Sequence, residues 1–194
     1  MRRLLSRMRI GRNILRSTEA IALVEFAVSL PLMLVMIVGI FDFGNAFNLK
    51  QKLTNAAAVG ARFAASLPTN DLSSAGIPTP KSVLAVRDAI DKSLIAEGLP
   101  DCGLGALVGA TSFTASKLTW GFQSQGSCNA TVTLTIERGY YLLTPDDNIN
   151  LIGTHVSLAY PYSWYFGHVT GLLGGSGPAL PGQILVDSYV PNLD

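Results

Sequence analysis

Apolar positions crowd the first quarter of the chain and then thin into alternating patterns. Between Phe26 and Phe41 sixteen consecutive residues carry no charge, and the apolar run around them extends from Ile21 to Phe47, interrupted by Glu25 and Asp42. Taken from Ile21 to Gly44, the run makes about 36 Å of helix, enough to cross a hydrocarbon core of about 30 Å. Pro31 lies within it, and a membrane helix tolerates proline because neighbouring groups re-satisfy the freed carbonyl. Asn45 to Ser66 is rich in Ala, Leu, Lys and Gln and has no proline before Pro68. These are good helix formers. The pattern therefore predicts one continuous helix from Ile21 to Ser66, about 69 Å long. Ala56, Gly60 and Ala64 recur at every fourth position, a face that permits close approach of another backbone or of the protein's own sheet.

After the helix the pattern changes. Leu67 to Lys81 holds three prolines and reads as a loop. Ser82 can cap a short amphipathic helix over Val83–Glu97, in which Val83, Val86, Ile90 and Leu94 share a face and Asp88 precedes Lys92 by four. Gly98 and Pro100 end it. The glycines of 101–110 predict a flexible loop around Cys102. Strands follow over Ser112–Phe122, Asn129–Tyr141 and Thr154–Tyr165, with a turn at Ser124–Ser127. In the second strand Val132, Leu134 and Ile136 alternate with Thr131, Thr133, Thr135 and Glu137, so one face is buried and one wet. Pro161 marks the third as an edge strand or as ending there. Gly167–Gly182 is a glycine-rich loop with Leu172, Leu173 and Leu180 as apolar anchors, a possible contact surface in an assembly. The predicted fold is α+β: a long N-terminal transmembrane helix continuing into a small domain with an antiparallel sheet and one amphipathic helix. It divides into a basic leader (1–20), the helix and its extension (21–66), and an outer domain (67–194).

Charge gives the orientation. The net charge of +1 hides six arginines in the first twenty residues against Glu19 alone. Basic residues next to a single span place that end in the cytoplasm and the C-terminal domain outside. This accounts for the basic leader without nucleic-acid binding. A secretory signal peptide has the same general form, but the run is long and the nearest small-x-small site, Ala56-Ala57-Ala58, lies past its end. In an exported domain, Cys102 and Cys128 are expected to form a disulfide worth about 3 kcal/mol, two buried free thiols being the alternative.

Catalytic signatures are not found. His155 and His168 lack paired-ligand spacing, Asp146-Asp147 with Asn148 supplies few oxygens for calcium, and Gly103, Gly105 and Gly109 miss the dinucleotide fingerprint. Ser176 lacks the glycine that a nucleophile elbow needs two residues on, since Pro178 stands there. Asn129-Ala130-Thr131 is a glycosylation sequon only in a eukaryotic secretory pathway. No enzyme activity, metal or cofactor is expected.

One stretch carries a resemblance. Ala20-Ile21-Ala22-Leu23-Val24-Glu25-Phe26-Ala27-Val28-Ser29-Leu30-Pro31, then Gly39-Ile40-Phe41-Asp42-Phe43-Gly44, then Asn55-Ala56-Ala57-Ala58-Val59-Gly60-Ala61-Arg62-Phe63-Ala64-Ala65 resemble the TadE/TadG-like family. These are the type IV pilin-like pseudopilins of the tight adherence pilus. Val156–Tyr162 resembles the family's C-terminal strand, and the resemblance implies a last strand over Gly182–Val190. It further implies a prepilin peptidase cutting between Ala20 and Ile21, and Glu25 pairing with a neighbour's new N-terminal amine during assembly. The implied protein is a structural minor subunit in a bacterial inner membrane, its partners other pilin-like subunits and pilus assembly proteins of a pilus or related secretion system. Ala20 stands where the family usually has glycine. That departure supports the alternative, an unprocessed single-span module binding a protein partner or the cell wall.

Overall fold

Forty-eight residues form the first element, helix α1 (Thr18–Ala65), with Pro31 inside it. This computed structural model describes residues 18–74, 79–124, 128, 131–143, 150–166 and 182–192. The arginine-bearing leader up to residue 17, the turn at 125–127, Asn129, Ala130, Asp146, Asp147, His168 and residues 167–181 of the glycine-rich loop lie outside them. The chain divides into two compact units, Met1–Gly44 with Trp164–Leu180 and Asn45–Ser163 with Pro181–Asp194.

In the first unit, α1 is apolar, with every side chain from Ile21 to Leu30 exposed and Gly39 and Asp42 buried further along. Leu23, Val28, Leu32, Met36 and Ile40 keep between 63% and 71% of their surface. A helix apolar all round is normally buried in a large core or in lipid, and from Ile21 to Leu30 no described residue covers this one. It is long and apolar enough to cross a membrane.

In the second unit the same helix becomes amphipathic. Leu53, Ala56, Ala57, Ala61 and Ala64 are fully buried, a stripe at three- and four-residue spacing. The face of small residues is filled by this chain's own second helix, α2 (Lys81–Ala96). A Cβ on Gly60 would fall 2.4 Å from Ile90 Cγ1, so only glycine allows the two helices to close to this distance. Lys52 Nζ donates to the Glu97 carbonyl at 2.6 Å, and Asn55 Nδ2 donates to Glu97 Oε1 at 2.8 Å. A cation at the C-terminal end of α2 suits the helix dipole.

The start of α2 differs from expectation. Ser82 lies inside the helix rather than capping it, and Pro80 occupies the cap position without a side-chain bond. The cap is supplied from a 3₁₀ turn (Asn70–Ser74), where Asp71 accepts both the Ser82 N–H and the Ser82 hydroxyl at 2.9 Å. The C-terminus is closed by Gly98 at φ +73°, with Leu99 N–H donating to the Leu94 carbonyl.

Five antiparallel strands follow in a meander in which each pairs with the next: β1 (Ser112–Thr114), β2 (Thr119–Ser124), β3 (Val132–Leu143), β4 (Asn150–Pro161) and β5 (Gln183–Pro191). The stretch expected to be one strand over Ser112–Phe122 is two. A 3₁₀ turn at Ala115–Lys117 and Leu118 at φ +50° fold it into a hairpin. Pro161 is the last residue of β4, which is an inner strand. Trp120, Phe122, Val132, Leu134, Ile136, Val156, Leu158 and Val186 point to one side and share a core with the buried faces of α1 and α2.

The β3–β4 register shifts between Glu137 and Tyr140. A Cβ on Gly139 would lie 3.0 Å from the Lys117 carbonyl oxygen. The bulge therefore uses glycine at a close backbone approach. Buried Arg138 next to it sends Nη2 to the Leu67 carbonyl at 3.0 Å.

Gly60→Ala is expected to lower stability by about 1–2 kcal/mol, overpacking against Ile90 outweighing the gain in helix propensity. Thermal melts of Gly60→Ala, Ile90→Ala and the pair check this: the pair should be less destabilised than the sum of the two single variants.

Candidate functional site

The residues singled out in the sequence lie in separate places. Ala20 and Ile21 are both inside α1, one turn before Glu25. Ile21 and Glu25 share a face at four-residue spacing. Glu25 is exposed, and among the described residues no cation reaches it. The helix presents a carboxylate to whatever surrounds it, on a surface otherwise without charge as far as Phe41.

A second acid ends that uncharged stretch in a different way. Asp42 is 2% exposed, and its Oδ2 accepts the Phe166 N–H at 2.9 Å. The Phe166 ring sits against Gly39, where a Cβ would lie 3.6 Å from it. Phe43 meets Trp164 edge to face with centroids 5.5 Å apart. The segment three residues beyond β4 is thus docked on α1 by a carboxylate and two ring contacts. Sequence reasoning named Asp42 only as part of a motif. Its signal was an acid between two aromatics at the end of the uncharged run.

Cys102 and Cys128 form a disulfide, with Cα atoms 5.0 Å apart. The loop that carries Cys102 is tied down rather than flexible. Cys102 and Leu104 are fully buried, and the Tyr160 hydroxyl donates to the Pro100 carbonyl at 2.9 Å. Arg87, 6% exposed on α2, donates to the Leu107 carbonyl and pairs with Asp88. Asp91 lies beside the same loop. A Cβ on Gly105 would fall 2.6 Å from its Oδ2, and its Oδ1 is buried with no hydrogen-bond partner. Burial, then the neighbouring Asp101, push the Asp91 carboxyl above the usual carboxylate range.

On the sheet face away from the helices, His155 bridges three strands. Its Nδ1 lies 2.9 Å from Glu137 Oε2 on β3, and its Nε2 lies 3.0 Å from Asp187 Oδ1 on β5. Its ring stacks on Tyr189 at 4.3 Å, and Tyr140, brought to this face by the bulge, packs against both. His155 is half-buried, and its two carboxylate contacts were missed in the sequence. Their signal was that Glu137, His155 and Asp187 fall in the same phase of three alternating strands. Each imidazole nitrogen is taken up by a carboxylate, which makes this a cross-strand tie. Among the described residues no group of three or more His, Cys, Asp and Glu side chains could hold a metal ion.

Packing and charge placement, rather than a reactive cluster, are what the described residues of these places offer. Residues 20–62 match the model of the TadE-like protein family. This N-terminal segment is TadE-like. The match covers the membrane-length part of α1, Glu25, Asp42 and the small-residue stripe as far as Ala61. No curated protein and no solved structure matches the chain.

Two outcomes follow from the geometry beyond the TadE-like segment. Replacing both Cys102 and Cys128 by Ser is expected to cost about 3.5 kcal/mol, from the entropy of the opened loop, measured by denaturant unfolding. A carboxyl whose folded pKa is raised binds more protons folded than unfolded, so stability falls as pH rises through the raised value. Asp91→Asn should therefore raise the melting temperature at neutral pH. Its advantage over the native chain should vanish at about pH 3, where the carboxyl is protonated in both states.

Proposed function

We propose that the protein is a non-catalytic, pilin-like minor subunit that assembles through α1 in a tight adherence pilus or a related secretion apparatus. The observation that carries this reading is Glu25, exposed and unpaired among the described residues, on a helix whose other exposed side chains as far as Phe41 are uncharged. Holding a carboxylate inside lipid costs several kcal/mol unless it is paired. After cleavage between Ala20 and Ile21, a neighbour's terminal amine would supply the partner, forming a charge-assisted bond where water is scarce. The arginine-rich leader supports a cytoplasmic N-terminus, with the disulfide-bonded domain outside the inner membrane in a compartment that sustains the disulfide. Prepilin peptidase and other pilin-like subunits are the partners this mechanism requires.

A second reading, an uncleaved anchored module that binds a protein or the cell wall, is favoured by one feature. The Ala20–Ile21 peptide bond lies inside α1, so a peptidase must first unwind the helix around it.

Glu25→Gln tests the pairing. The variant should reach the membrane in normal amount, because neutralising the acid eases insertion, while pili or assembled particles fall to background. Normal assembly by Glu25→Gln would remove the pairing from the mechanism.

A further inference from the structure

The residues that dock on α1 at Asp42 lie at a particular level of the helix. Glu25 and Asp42 are the acids that bracket the uncharged stretch, and the seventeen residues of rise between them make about 26 Å, close to the thickness of a hydrocarbon core. With a core of about 30 Å, a span that holds Glu25 a few Å inside the near boundary brings Asp42 to the far one. At that level the chain places Trp164, Tyr165 and Phe166. Tyr165 is 64% exposed, and Phe41 and Phe43 on the helix are 70% and 50% exposed. From Tyr160 to Phe166 there is no charged residue. Trp and Tyr concentrate where lipid headgroups meet hydrocarbon, since each has an apolar body and a polar handle. Asp42 would be costly at this depth if left bare. Here its charge is met by the Phe166 N–H under an aromatic cover.

We infer that Trp164–Phe166, held on α1 by Asp42 and Gly39, forms with Phe41 and Phe43 an aromatic collar seated in the outer lipid interface. The collar is a second membrane contact that fixes how deeply α1 sits. This rests on the reading of α1 as a span and adds an element to it. The occupant is the lipid interface, because the rings lie at the limit of the uncharged helix and carry no charge to recruit a polar partner.

The test uses the full chain in phosphatidylcholine vesicles whose lipids carry bromine either near the carbonyls or near the terminal methyls. The protein has two tryptophans, and Trp120 is fully buried, so the quenching lost in Trp164→Phe belongs to Trp164. The shallow bromines should quench Trp164 about twofold more than the deep ones, as expected of an interfacial indole. Asp42→Ala should reduce that quenching, and Asp42→Asn, which keeps an acceptor oxygen, should retain it. A Leu34→Trp reporter, at a position 51% exposed, in the Trp164→Phe background reads the span separately and should be quenched by the deep bromines. A deep-quenched reporter with Trp164 shielded from both lipids would overturn the collar and leave the span standing. Energy transfer between copies in that case would give the surface to a second copy. No quenching of either indole would overturn the span and the collar together.

Discussion

An uncharged apolar stretch of sixteen residues, most of them exposed along α1, is the constraint on which the rest depends. At roughly 25 cal/mol for each Å² of apolar surface, leaving such a helix in water would cost more than a small domain's whole stability. Each feature of the first unit answers that cost. Asp42 is covered and hydrogen-bonded, glycine at 39 lets a ring sit against the helix, and aromatic side chains gather where the apolar stretch ends. Glu25 is the exception, an acid left open in a surface that otherwise asks for lipid. The functional proposal grows from that exception.

The second unit solves a more ordinary problem. A sheet with one wet face needs a cover for the other, and α1 and α2 supply it through small residues on one helix and branched ones on the other. Polar groups inside this layer serve as ties. Arg87 reaches the loop that carries the disulfide, Arg138 reaches the start of the segment after α1, and Asp71 closes the start of α2. On the wet face the Glu137–His155–Asp187 contacts link three strands where no core is available. These ties act between elements that are distant in sequence.

What could be read in the sequence was whatever periodicity and local chemistry encode. The long helix, the amphipathic α2 and the alternation in β3 and β4 were legible, because one face of each is buried at a regular period. The last strand was recovered through the family resemblance. The hairpin in 112–124 was not legible, since its turn depends on Leu118 adopting a left-handed conformation that its side chain does not advertise. Nor was the cap of α2: Ser82 had the right chemistry at the right place, but Asp71, eleven residues earlier, reaches the same N–H. Asp42 and His155 share this character. Their partners are 124 and up to 32 residues away, so the acid and the imidazole were visible while their roles were not.

The central claim, that α1 is the assembly helix of a processed pilin-like subunit, turns on one covalent bond. The direct measurement is intact mass with N-terminal sequencing of the protein recovered from native membranes. The account predicts a chain beginning at Ile21, which leaves Glu25 five residues from a free amine of the kind it is proposed to pair with. A membrane-bound chain that still begins at Met1 would contradict it and make the protein an anchored module instead.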